Sequence, residues 1–202
     1  MRPLVSILFS LLLFTSCDDV DHDHDHDHDQ EVITTVVLSF TDGSGTDPQT
    51  FEWADPENDG SPIVDDIVLT AGNSYSVSIA FLNELEEPAE DLTEEIADEA
   101  DEHQIFFTGS AVQGPATGTN AEAIVEHSYA DEDSSGLPLG LQNTLATLGT
   151  GSGELVLTLR HMPLENGASV KVAGVAEEVA TGGFESIGGD NDVQITFAIE
   201  VQ

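Results

Sequence analysis

Residues 21–29 alternate without exception: Asp21, His22, Asp23, His24, Asp25, His26, Asp27, His28, Asp29. In an extended chain successive side chains point to opposite sides, so His22, His24, His26 and His28 line one side and the aspartates the other. Imidazole nitrogen suits Zn²⁺, Ni²⁺ and Cu²⁺, while carboxylate adds charge and hard oxygen donors. Each aspartate can also accept a hydrogen bond from the ring N–H that a ligating histidine leaves free. The stretch has no apolar residue to bury, so it is expected to be a disordered tether that wraps an ion. Protons compete for the same nitrogens, and affinity should weaken as pH falls through about 6.5.

Two other sets have ligand character. Glu95, Glu99 and His103 fall at i, i+4 spacing along a helix expected over 90–102. Asp91, Leu92, Thr93 and Glu94 offer a start like a capping box, and Leu92, Ile96 and Ala100 give a narrow apolar stripe. The acidic row can take a cation; the plainer reading is a solvated face ending in a histidine at the helix C-terminus. Asp55, Glu57 and Asp59 precede Gly60 at alternate positions, and Asp66 stands at the twelfth position of that register. This resembles a calcium loop, although Pro56 and the flanking strand patterns do not fit an EF-hand. An acidic turn between strands is the alternative. The run 131–136 is acidic too but lacks the spacing.

His127 and His161 lie within expected strands. His161 follows Leu155, Leu157 and Leu159 in alternation, so it faces the apolar side as a core or rim histidine. Arg160 and Lys171, two of the three cations in the chain, should pair with carboxylates.

The elements that must position these residues are strands. Val32, Thr34, Val36, Leu38 and Phe40 alternate with other residues, as do Tyr75, Val77, Ile79 and Phe81, and again Val193, Ile195, Phe197, Ile199 and Val201. These are half-buried strands, apolar inward and polar outward. Further candidates are 49–54, 63–71, 104–110, 124–130, 153–162 and 169–173, separated by turns rich in Gly, Asn and Asp. Only the one short acidic helix stands out. Strands at this spacing without alternating helices predict a mainly β fold, an antiparallel β-sandwich of immunoglobulin-like type.

Composition narrows the partners. Forty acidic residues against three Lys+Arg give a formal charge of −37. Such a chain repels nucleic acid and anionic headgroups and attracts divalent cations. No nucleophile elbow, phosphate loop or HExxH pattern is present, so the chain is not read as an enzyme.

The leader addresses location. Arg2 and the apolar run 4–14 form a signal-like segment too short for a membrane span of roughly 20 residues. Phe14, Thr15, Ser16 and Cys17 resemble a bacterial lipobox, which implies cleavage before Cys17 and lipidation of its thiol; Cys17 is the only cysteine. Asp18 and Asp19 resemble the surface-export signal of Bacteroidota-type lipoproteins. Residues 94–107, 136–141 and 155–163, with the closing strand 192–202, resemble members of the same lipoprotein family. Its motifs carry no established chemistry, so no functional residue is carried over. Such sequences are sometimes labelled as having a type 1 periplasmic-binding fold. That label implies alternating β/α units, which this sequence lacks.

Three segments are therefore expected: a signal peptide over 1–16, a lipidated tether over 17–30 and a β-sandwich domain over 31–202. The expected location is the outer membrane, lipid-anchored and either surface-exposed or periplasmic. The expected function is binding of Zn²⁺ or another divalent transition metal through the tether, as an accessory to metal uptake or buffering beside an outer-membrane receptor. The alternative is a Ca²⁺-stabilised structural or adhesive module.

Overall fold

The computed structural model describes residues 31–43, 45 and 48–202; Cys17 and the Asp-His segment lie outside them. In chain order the elements are β1 (Thr35–Asp42), β2 (Gln49–Ala54), β3 (Ile63–Val64), β4 (Ile67–Leu69), β5 (Ser74–Asn83), β6 (Glu90–Asp91), α1 (Thr93–Asp98), β7 (His103–Thr108), β8 (Val112–Gln113), β9 (Val125–Tyr129), β10 (Gln142–Thr147), β11 (Gly151–His161), α2 (Val175–Gly182) and β12 (Asp190–Val201). No helix among the described residues is long and apolar enough to cross a membrane.

The strands form two sheets. One runs β3-β2-β1-β5-β10-β9-β8, with β6 also pairing β5; the other runs β4-β12-β11-β7. Pairing is antiparallel apart from β12 with β4 and β8 with β9. The three alternating runs form strands, but the first begins only at Thr35 and leaves Val32 exposed. Val36, Leu38 and Phe40 of β1, Val77, Ile79 and Phe81 of β5, Leu155, Leu157 and Leu159 of β11, and Ile195, Phe197 and Ile199 of β12 share one buried core. The protein is a mainly β sandwich, as its alternation predicts.

Three departures have physical causes. The expected strand 63–71 is two short strands in different sheets: β3 pairs β2, where the Asp65 carboxylate also accepts the Glu52 backbone N–H at 3.0 Å, and β4 pairs β12. The expected strand 169–173 is an irregular link to a second helix, α2. Val175, Ala176 and Val179 of α2 cover Phe106 and Met162, which form a second small core. Phe106 alternates with Ile105 and Phe107 and so points away from the main core, and α2 buries it. Finally, β10 lies between β5 and β9, where the alternation of Asn143 and Leu145 is too short to stand out in the sequence.

The ladder between β11 and β12 slips at one point. Leu159 pairs with Val193 but Arg160 pairs with Asn191, so Asp192 is an extra residue in β12, a β-bulge.

Candidate metal centre

His103 opens β7 and His161 closes β11, and the two are direct cross-strand partners. Both continue the inward side of their strands, beyond Ile105 and Leu159, so they sit at one end of the sandwich core. Their rings stack at 4.6 Å between centroids and 11° between planes. α1 ends just before them. Glu99 is its C-terminal cap residue and Glu102 follows in the link to β7. Glu99, His103 and His161 each bring one ligand atom within 4.8 Å of the other two.

The tautomer of His103 follows from its neighbours. Nδ1 lies 3.3 Å from the Glu99 carbonyl oxygen, which can only accept, so Nδ1 carries the proton. Nε2 then presents a lone pair. Burial lowers the His103 pKa to about 4, the neighbouring His161 lowers it too, and the Glu99 carbonyl opposes the shift. The ring is therefore neutral near pH 7, as a ligand must be. Its Nε2 is buried without a hydrogen-bond partner and lies 3.6 Å from Asp192 Oδ2. On the other ring, His161 Nε2 lies 3.4 Å from Glu102 Oε2, so a carboxylate orients this imidazole as well.

Acidic groups surround the pair. Burial raises the Asp192 pKa to about 6. Glu31, where the described chain begins, rises to about 8 through burial and the nearby charges of Asp192, Glu95, Glu99 and Glu90. Its Oε2 is another buried oxygen without a hydrogen-bond partner. Below the site Lys171 is wholly buried, with Nζ 2.9 Å from Asp133 Oδ2 and donating to the Ala100 carbonyl at 2.6 Å. That contact holds the link between Glu99 and His103 in place. The Nζ–Oδ2 contact is an ion pair more than a directed hydrogen bond; the backbone N–H groups of Ser135 and Leu137 donate to Asp133 Oδ1.

A cation can be shared by two imidazoles, a carboxylate and flanking oxygens. Near-parallel rings have near-parallel lone pairs, so sharing one ion requires the two rings to tilt toward each other. The N and O donors suit borderline divalent ions such as Zn²⁺.

No family model, curated protein or solved structure matches this chain. The reading of the site therefore rests on its own geometry.

Of the residues singled out in the sequence, Glu99 and His103 come together and Glu95 does not join them. α1 stops at Asp98, so the row of i, i+4 residues is broken: Glu95 is exposed on the helix, Glu99 caps it and His103 already belongs to a strand. His161 completes the group, although its alternation suggested only a rim position. Asp192 had no sequence signal, because an extra residue in a strand is invisible until its pairing is known.

In the acidic loop, Asp55 is buried and its carboxylate accepts the Asp59 and Gly60 N–H groups at 3.1 and 2.8 Å, while Glu57, Asp59 and Asp66 are exposed. Among the described residues, Glu99, His103 and His161 are the one set of three or more such side chains that meets within 4.8 Å. In the 131–136 run, Asp131 accepts the Gly140 and Gln142 N–H groups and Asp133 pairs with Lys171.

His127 is a core histidine as read, stacked on Phe107 at 4.5 Å and bonded through Nε2 to Asn143 Oδ1 at 2.9 Å. Arg160 differs from expectation. It donates to the carbonyls of Ile187, Gly188 and Gly189 and to Asn191 Oδ1, and so ties down the turn before β12.

Proposed function

We propose that this protein is a cell-envelope lipoprotein that binds divalent transition metal, with a folded site at Glu99, His103 and His161 in addition to the Asp-His segment. The observation that carries this reading is the pair of stacked histidines at the rim of the core, with a carboxylate at ligand spacing and one imidazole nitrogen buried without a partner. Burying such groups is costly unless something compensates them. The Asp-His segment supplies capture from dilute solution, and the folded site supplies a more ordered second place for the same ion. An accessory role in metal uptake or buffering fits both, with an outer-membrane receptor as partner.

The test uses the full chain with His22, His24, His26 and His28 changed to Asn, which isolates the folded site. Titration calorimetry should show one Zn²⁺ site at pH 7.5 that is lost in the added His161→Ala variant. Equal Zn²⁺ affinity with and without His161 would refute the folded site, and stabilisation by Ca²⁺ alone would favour the structural module instead. Location is tested separately: Cys17→Ala should abolish partition of the processed protein into detergent, and retained partition would exclude the lipid anchor.

A further inference from the structure

We propose that Asp192 is a further ligand of the ion held by Glu99, His103 and His161, making the centre a site of two nitrogens and two carboxylates. This rests on the reading of that centre as a metal site.

The first support is placement. Asp192 is the extra residue of the β12 bulge, whose neighbours Asn191 and Val193 keep their partners in β11. Bulges re-aim a side chain, and are enriched beside functional sites. Here the bulge coincides with a carboxylate sent into the end of the core, where the alternation of β12 has otherwise placed Val193, Ile195 and Phe197.

The second support is chemistry. The Asp192 side chain is 2% exposed, and its Oδ2 is buried without a hydrogen-bond partner. It faces His103 Nε2, which the Glu99 carbonyl has already set as an acceptor. Two buried acceptors pointing at each other lack any donor between them. Their 3.6 Å separation is long for a hydrogen bond. It is close to the edge of a tetrahedron with bonds of about 2.0–2.1 Å, which is roughly 3.3–3.4 Å. Arg160, on the adjoining strand, acts on Asp192 through its charge but directs its hydrogen bonds to the carbonyls of 187–189 and to Asn191.

The third support is what one ion would join. His103 is at the start of β7, His161 at the end of β11, Asp192 near the start of β12 and Glu99 at the end of α1. Four chain segments meet at this end of the sandwich. The Glu99 carboxylate lies 4.0 Å from His103 Nδ1 and Asp192 stands outside the set that meets within 4.8 Å, so a shared ion at Nε2 would have to draw both carboxylates in as it cross-links these segments. Two imidazoles with two carboxylates fit Zn²⁺ or Co²⁺ over Ca²⁺ and Mg²⁺, which take oxygen ligands in larger number or in octahedra.

The test again uses the full chain with the four tether histidines changed to Asn, and Co²⁺ as the probe. Bound Co²⁺ should give the intense visible bands of four-coordination. Asp192→Asn should weaken Co²⁺ and Zn²⁺ binding tenfold or more and diminish those bands. Glu200→Gln, a distant exposed carboxylate on the same strand, should leave both unchanged. Without metal, Asp192→Asn should unfold at the same or higher urea concentration than its parent, because it removes a carboxylate whose burial outweighs the favourable charges around it. That combination, weaker metal binding without loss of apo stability, is not the pattern of a merely structural residue. Wild-type affinity and spectrum in Asp192→Asn would overturn the proposal, as would a destabilised apo protein that still binds normally. If His161→Ala binds like its parent, the metal centre itself fails, and that outcome is separate from an ion that needs His161 but ignores Asp192.

Discussion

Lys171→Met should be among the most damaging single changes in the domain, and Asp133→Asn should largely repair it. Lys171 and Asp133 are 0% and 1% exposed at their side chains and 2.9 Å apart. Burial lowers the Lys171 pKa, and the close contact and charge of Asp133 oppose that shift. For Asp133 burial acts upward, but Lys171 and the Leu137 and Ser135 N–H groups hold its pKa below the usual value. Removing the ammonium strands a buried carboxylate, which costs about 3–5 kcal/mol. The Ala100 carbonyl also loses its donor, worth about 1 kcal/mol. Two backbone N–H groups remain on Asp133, so the lower part of that range, about 3 kcal/mol, is expected, or about 4 kcal/mol with the Ala100 bond. For a domain of this size that is a fall in Tm of roughly 8–16 °C. The double variant Lys171→Met/Asp133→Asn replaces the pair by neutral groups, and should recover at least about 2 kcal/mol of the loss. Urea denaturation of the four chains at pH 7 measures the cycle. A single-variant loss below about 1 kcal/mol, or strict additivity, would show that the pair does not hold this corner together.

The same physics gives two more expected outcomes. His127 is held near pKa 4 by burial, against the opposing hydrogen bond that its Nε2 donates to Asn143 Oδ1. The unfolded chain binds this proton below about 6.5 and the folded chain does not, so its contribution is full above pH 6.5 and is lost as pH falls toward 4, up to about 3 kcal/mol. Relative to His127→Gln, the wild type should therefore lose urea resistance more steeply between about pH 6.5 and 4.5, and parallel profiles would exclude it. Gly189 adopts φ 80° directly before β12, and a Cβ there would collide with the His161 backbone carbonyl. Gly189→Ala should cost about 2–3 kcal/mol by thermal denaturation and weaken Zn²⁺ binding, whereas Gly149→Ala, which meets nothing within 4 Å, should do neither.

The sandwich was legible because period-two alternation is a direct consequence of burying one face of a strand. Val36, Leu38 and Phe40, or Ile195, Phe197 and Ile199, needed no partner to reveal their inward side. Helix α2 was not legible, since its eight residues give barely two turns. Its buried Val175, Ala176 and Val179 matter only once Phe106 is seen to face outward from β7. The split at Asp65 was hidden for another reason. Asp65 and Asp66 interrupt the apolar residues of 63–69, yet only the pairing shows that β3 and β4 belong to different sheets.

The candidate site divides along the same line between local and non-local information. Glu99 and His103 are four residues apart, so sequence spacing paired them, although for a helical reason that did not survive the end of α1 at Asp98. His161 is 58 residues beyond His103 and reaches it through strand register; alternation placed it on the correct face but could not name its neighbour. Asp192 required still more, since register has to slip by one residue for its carboxylate to turn inward. Each further candidate residue therefore depends on a longer-range feature than the one before. The least legible group, Asp192, is also the one whose buried oxygen has the weakest structural excuse, because a strand extended regularly past Val193 would not have sent a carboxylate toward His103. In a chain with 40 acidic residues and no need to bury any particular one, placing this carboxylate beside a neutral imidazole is the feature on which the proposed cation site rests.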